Sequence, residues 1–336
     1  MAALKLAEET IEPDESTWVK GLVARFKDEA IKNHPSGVMH RGAHAKPHGL
    51  VKAEFTVQAG LAPLWRVGIF KEPKTYQAWI RFSNSEGKRQ PDKKRDVRGM
   101  AIKLLGVPGE KILEQEKTEQ SQDFILISSN VFVTRGVRES DELAQALFGG
   151  MLAKLWYLLT HWVTLWLLVK VLRRCADPLQ IRYFSCTPYL FGSHAVKYSA
   201  IPRIDTPGAI PEDAHDDYLR QALVKRLKEG EVQFDFAVQL QTDAVAMPIE
   251  DPRREWSEAL SPFHKLATIR ILQQDCDSAE QRSFGQNLSF SPWHSLPEHR
   301  PLGGVNRARK VVYEALSTFR HERNQAPRKE PLGWEI

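Results

Sequence analysis

The sequence predicts an α+β fold: an eight-stranded antiparallel β-barrel surrounded by helices, with a helix closing the C-terminal end. Two observations predict it. Eight short segments rich in Val, Ile, Phe and Tyr alternate apolar and polar residues and are separated by Gly, Pro and Asp turns, the period-two signature of strands. Segments before and after this series carry apolar residues at helical spacing instead. Antiparallel strands in this number lose their exposed edges if they close on themselves.

The first element is a helix over 17–32, where Trp18, Leu22, Val23 and Phe26 share one face. The strands are read at 50–58, 78–83, 99–107, 123–128, 181–185, 195–200, 232–241 and 267–274. Charged loops fill 86–95 and 108–122. Two helical stretches interrupt the strands. One covers 139–174, and the other, 213–228, has acids in its first turn and bases in its last, as the helix dipole favours. A Pro- and His-rich extended run at 289–302 leads into the final helix, 305–322. Residues 1–36 are read as an N-terminal arm and helix, and 37–336 as a single domain that includes the apolar insertion 139–174.

The 336 residues carry 47 Lys and Arg against 42 Asp and Glu, a net charge of +5. Such a mild excess suits anionic ligands or lipid headgroups, and no basic run interleaved with aromatics speaks for nucleic acid. Cys175, Cys186 and Cys276 form neither a paired framework nor a metal-ligand spacing, so a reducing cytoplasm is expected. The acidic start lacks the apolar stretch of a signal peptide. Residues 147–172 are the exception to the soluble pattern. Their longest run without a charged residue, 155–169, is shorter than the roughly 20 residues of a spanning helix. Either core packing or peripheral contact with a membrane, with Lys154, Lys170, Arg173 and Arg174 at its ends, accounts for it.

The chemistry-bearing residues lie near both ends. Arg309, Tyr313 and Arg320 fall at i, i+4 and i+11 of the last helix and so return to one face. A phenol with a guanidinium one turn away is suited to bind a ferric ion, although Arg-x-x-x-Tyr is usually a surface pair. His44 sits among the small residues of Arg41-Gly42-Ala43-His44-Ala45, and Arg81 and Ser83 share one side of a strand, where an arginine can meet a carboxylate and a hydroxyl an imidazole.

Taken in order, these blocks resemble the catalase haem-protein superfamily. Arg41-x-x-His44-Ala45-Lys46 is similar to its distal-histidine motif. Arg81-Phe82-Ser83 with Arg95-Asp96-Val97-Arg98-Gly99 is similar to its Arg-Phe-Ser and Arg-Asp-Pro-Arg-Gly blocks. Val131-Phe132-Val133 resembles the segment that lays a phenylalanine over the porphyrin. Phe191-Gly192-Ser193-His194 matches a further block, and Arg309-x-x-x-Tyr313 the proximal signature, with Arg320 where another haem-contacting arginine is expected.

The resemblance implies a compact catalase-like barrel holding one haem b, with Tyr313 on the iron and His44, Ser83 and Asn130 as the catalytic set. Arg41, Arg81, Arg309, Arg320, Ala43 and Phe132 would contact the cofactor. The family's distal asparagine aligns with Ile127 or Ser128, which leaves Asn130 to serve only if the turn differs. Ala43 is smaller than the usual valine. The implied activity is haem-dependent peroxidase or catalase chemistry on hydrogen peroxide or an organic, fatty-acid hydroperoxide. A lipid-transforming haem enzyme and a non-catalytic haem or lipid carrier are the alternatives. If the apolar insertion lined a tunnel to the haem, the lipid reading would gain. A homo-oligomer stays open.

Overall fold

The computed structural model describes residues 5–203 and 208–336, so the first four residues of the expected N-terminal arm lie outside it. Helix α1 (Glu15–Asn33) leads into strands β1 (Pro47–Val57), β2 (Thr75–Asn84), β3 (Arg98–Leu105) and β4 (Ser121–Ile127). Helices α2 (Val137–Phe148), α3 (Met151–Thr160) and α4 (Trp162–Val171) follow, then β5 (Tyr183–Phe184), β6 (Tyr189–Phe191), β7 (His194–Pro202) and α5 (Tyr218–Glu229). The chain continues through β8 (Val232–Leu240), β9 (Phe263–Ile271), α6 (Ala279–Asn287) and α7 (Gly304–Arg323).

All pairings are antiparallel, in the order β5-β4-β3-β2-β1-β9-β8-β7-β6, and β5 also pairs with β7. That last pairing closes eight strands into a barrel and leaves β6 as a short hairpin arm of β7. The closing seam is thin. Ile127 opposite Phe184 joins β4 to β5, and Tyr183 and Phe184 opposite Ala200 and Ser199 join β5 to β7.

The barrel interior is dry and aromatic, with Phe55, Phe70, Phe124, Tyr198 and Phe236 in mutual ring contact. Alternation along the strands then fixes what lies outside. Ile80 and Phe82 of β2 and Ile102 of β3 point into this core, so Arg81, Ser83, Gly99 and Ala101 point out. The eight expected strands are all present, shifted by up to four residues at their ends. Strand β6 and helix α6 are additions: three residues are too few for a periodic signal, and α6 has one large apolar residue, Phe284.

Three expectations are corrected. The helix expected over 139–174 is three helices, broken at Gly149-Gly150, where Gly150 has φ +99°, and again at His161. The helix expected from 213 starts at Tyr218, because Asp92 accepts the Leu219 amide at 3.1 Å and the acids before it remain in a turn. Core packing of 147–172 holds for one side only: Tyr157, Leu167 and Val171 are buried, while Trp156 and Trp162 stay exposed.

Helix α7 is set in place at both ends. Gly303 precedes it at φ +86°, where a Cβ would stand 2.7 Å from the Ile249 carbonyl oxygen, so only glycine fits. Arg307 then ties its first turn to Glu9 and Glu15, both at 2.7 Å. Beyond α7 the chain returns to the outer face of the barrel. Buried Lys103 of β3 pairs with Asp123 of β4 at 2.8 Å and with Glu330 of the tail at 2.6 Å. The indoles of Trp79 and Trp334 donate to the carbonyls of Gly333 and Ala78, each at 3.1 Å.

Arg328 also reaches Glu330, at 3.8 Å, but Asp123 pairs with Lys103 alone among the described residues, and removing Lys103 would leave the Asp123 carboxylate buried without a cation. Lys103→Met is expected to lower unfolding stability by about 3–5 kcal/mol, measured by urea denaturation. A loss under about 1 kcal/mol, the range of an exposed pair, would show that the network is solvated.

Candidate functional site

Between the outer face of β2–β4 and helix α7 lies a cavity of about 200 Å³, within unfilled space of about 1060 Å³ that is partly open to solvent. The barrel contributes Arg81, Ser83, Gly99, Ala101, Ile125 and Leu126. Helix α7 adds Val312, Tyr313, Leu316, Ser317, Phe319 and Arg320, and the segment between α1 and β1 adds Met39 through His44. Phe26 and Ala30 of α1 complete an apolar side. Segments at opposite ends of the chain thus meet here because α7 and its tail are pinned onto the outside of the barrel.

His44 is held with little freedom. Its φ of +55° is unusual for a non-glycine residue, and both flanks of its peptide are clamped: its N–H donates to the Ser85 carbonyl at 2.9 Å, and Arg81 Nη2 donates to its own carbonyl at 2.8 Å. The ring Nδ1 lies 3.0 Å from Ser83 Oγ. Gly99 permits this position, because a Cβ there would come within 2.6 Å of the imidazole. Burial, reinforced by the Arg81, Arg309 and Arg41 charges, pushes the His44 pKa down to about 3. The ring is therefore neutral at physiological pH.

Arg41, Arg81 and Arg320 line the same cavity, and no carboxylate lies within ion-pair distance of any of them among the described residues. Their bonds go to neutral acceptors: Arg41 to the carbonyls of Gly285 and Leu288, Arg81 to His44, and Arg320 to the Gln286 carbonyl at 2.6 Å and Ser289 Oγ at 3.4 Å. Arg41 Nη1 and Arg81 Nε are buried with no partner. Burial, and then their mutual repulsion, lowers the Arg81 pKa to about 9 and depresses that of Arg41 strongly. Burial and the Arg328 charge take Arg320 to about 10. Such a cluster is a site for an anion.

Tyr313 faces the cavity with Arg309 behind it. Arg309 Nη2 donates to the phenol oxygen at 3.2 Å, and its other nitrogen reaches Asn306 Oδ1 at 3.1 Å. Asn306 is itself fixed by donating to the Pro188 and Leu302 carbonyls at 2.9 and 3.0 Å. Sequence reasoning passed over Asn306 and quoted Gly99 only as the end of a block, without the part each plays in this geometry. Asn306 lies one turn before Arg309 and could have been found from that spacing, whereas the reason for Gly99 is a packing distance.

Of the expected site residues, His44, Ser83, Tyr313, Arg41, Arg81, Arg320 and Ala43 line the cavity, and Arg309 touches it through Tyr313. Two do not. Asn130 lines a separate small pocket with Lys197, Gln239 and Trp256, because Ser129 Oγ bonds the Val131 backbone and turns the chain away. Phe132 is also absent from the cavity wall, its amide tied to the Pro252 carbonyl at 3.0 Å. Ser128 Oγ is occupied by the Arg98 amide at 2.9 Å. Among the described residues no side-chain amide lines the cavity, and neither does any residue of 147–172. The segment therefore gives the lipid reading no support from a tunnel.

The comparisons with known proteins agree with this architecture. No family model matches the chain. A catalase-related peroxidase of Mycolicibacterium paratuberculosis (strain ATCC BAA-968 / K-10) is 27% identical over 265 residues, covering 73% of this chain and 78% of that protein. The crystal structure of a fungal catalase superposes with a TM-score of 0.66 at 16% identity, over 97% of this chain. The chain spans 65% of that catalase's length.

His48 and His299 are buried and His44 is partly buried at the cavity wall, and desolvation is the main cause of pKa values of about 3 for all three. The unfolded chain takes up protons on these rings below about pH 6.5 and the folded chain refuses them, so stability falls as pH drops from 6.5 towards 3. Each ring is expected to cost about 2 kcal/mol at pH 5 relative to pH 7. A urea midpoint unchanged across that interval would contradict it.

Proposed function

We propose that this chain belongs to the catalase-like superfamily and is a haem-dependent peroxidase. The observation that carries the reading is the set of three arginines facing one cavity without an acid, Arg81 and Arg320 buried and Arg41 partly so, with unpartnered N–H groups on Arg41 and Arg81. A porphyrin with two carboxylates supplies the missing anions, and the apolar surfaces of Ala101, Ile125, Val312 and Leu316 suit its faces. Tyr313 would be the proximal ligand, as an oxygen donor whose negative charge Arg309 stabilises. Haem b, when bound, supplies the iron at which a peroxide O–O bond is cleaved.

The remaining chemistry belongs to side chains. With Nδ1–H donating to Ser83 Oγ, His44 Nε2 carries a free lone pair. A neutral imidazole so placed takes the proton from one peroxide oxygen and returns it to the other as that oxygen leaves. Ser83 and Gly99 position the ring, and Asn306 positions Arg309 behind the phenol. The hydroperoxide group needs only this one base, so the missing amide bears on which peroxide is held.

Hydrogen peroxide has no apolar part, and the wall offers Ile125 and Leu126 where an amide would be needed to orient it. An organic hydroperoxide, with a long-chain fatty-acid hydroperoxide as the best fit, gains from the apolar side formed by Phe26, Ala30, Met39 and Phe319.

Absorption spectroscopy tests both levels. The purified chain should take up haem, and Tyr313→Phe should lose the tyrosinate-type spectrum. His44→Ala should keep the haem yet react with peroxide roughly 100-fold more slowly or worse. A chain that binds no haem would sink the reading altogether. A higher kcat/KM for hydrogen peroxide than for cumene hydroperoxide would overturn the substrate assignment alone.

A further inference from the structure

The most apolar part of the chain plays no part in the cavity. Helices α3 and α4 meet at 103° to form an elbow at His161, whose ring stacks on Tyr157. The inner side of the elbow is packed, with Tyr157 against Leu143 and Ala146, and Leu167 and Val171 against Val131. The outer side is not. Leu152 is 84% exposed, Trp156 71%, Leu159 70% and Trp162 72%, and Leu155 and Trp166 continue the same surface. An apolar area of this extent on a folded chain marks a surface that is covered in use.

Charge identifies what covers it. From Leu143 to Ala176 the chain has no Asp or Glu, while Lys154, Lys170, Arg173 and Arg174 all lie within that stretch. Lys154, Arg173 and Arg174 are exposed. Exposed tryptophans beside bases form the pattern of a headgroup boundary, with the indoles set between acyl chains and polar layer. Among the described residues no single helix is long and apolar enough to cross a membrane; α3 and α4 together have the length and composition, but they are bent 103° from one another. Each has 10 residues, about 15 Å of helix, against a hydrocarbon core of about 30 Å.

We propose that the α3–α4 elbow docks the protein on an anionic lipid bilayer, lying in one leaflet with its tryptophans inserted and its bases at the phosphates. Phe148 at the end of α2 packs edge-on against Phe26 at 5.3 Å, and Phe26 lines the cavity. Docking therefore brings the α1 wall of the cavity close to the acyl layer. The proposal does not depend on the peroxidase reading, and its test uses no activity.

The full chain is floated with vesicles of equal parts phosphatidylcholine and phosphatidylglycerol, and with phosphatidylcholine vesicles alone. Binding to the anionic vesicles is expected to exceed binding to the neutral ones by roughly 10-fold or more, since each base near a charged surface contributes. Replacing Trp156, Trp162 and Trp166 by serine, at sites open to solvent, should abolish flotation with both. Lys154→Glu with Arg174→Glu should remove the preference for phosphatidylglycerol. Absence of flotation with either vesicle, or flotation unaffected by the tryptophan changes, overturns the proposal. So does concentration-dependent self-association that the tryptophan changes abolish in a chain that does not float, because the surface then belongs to a second copy.

Discussion

Two-residue alternation along β2, β3 and β4 is the constraint on which the rest of the molecule depends. Once Ile80, Phe82 and Ile102 are committed to the barrel interior, Arg81, Ser83, Gly99 and Lys103 have no choice of side. The outer face of those three strands is then polar in an ordered way: arginine and serine towards one end, the buried lysine towards the other. The lysine receives the tail, the tail holds α7 down, and α7 brings Tyr313 and Arg320 over Arg81 and Ser83. A one-residue slip in β2 would exchange core for site along its whole length.

The electrostatics of the cavity run against stability. Three guanidiniums without acids, and a histidine kept neutral beside them, are each less favourable folded than in water. The Lys103 network is the opposite case, a buried cation fully answered by carboxylates. One chain holds both arrangements within the same sheet. The difference is that the second is complete in itself, whereas the first is complete only with a ligand that brings negative charge. Binding such a ligand would stabilise the folded chain in proportion to its concentration.

Much of this was legible in the residues. Period-two patterning located all eight barrel strands, and helical spacing placed Arg309, Tyr313 and Arg320 on one face. His44, Arg41 and Arg81 were found through ordered blocks. What escaped was decided by distances between segments far apart in the chain. Phe132 rests on a resembling block and Asn130 on a turn that differs from the ungapped alignment; the turn that Ser129 Oγ makes with Val131 leaves both off the cavity wall. The helix breaks at Gly150 and His161 are backbone events within a uniformly apolar run, where periodicity offers nothing to mark them. The α7 tail, with Glu330 and Trp334, carries no motif, because its role is set by Lys103 and Trp79 more than two hundred residues earlier.

The barrel's closure at β5 has its own consequence. Seven residue pairs knit β3 to β4, but a single pair knits β4 to β5 and two knit β5 to β7. Backbone pairing is therefore thinnest along one line of the cylinder, where side chains take over part of the stitching: Ser199 Oγ donates to the Tyr183 carbonyl at 2.9 Å, and Ser185 Oγ accepts the Tyr198 amide at 3.0 Å. The arginine and serine of the cavity stand instead on β2, which is paired along its length on both sides, so their spacing is set by the most continuous part of the sheet.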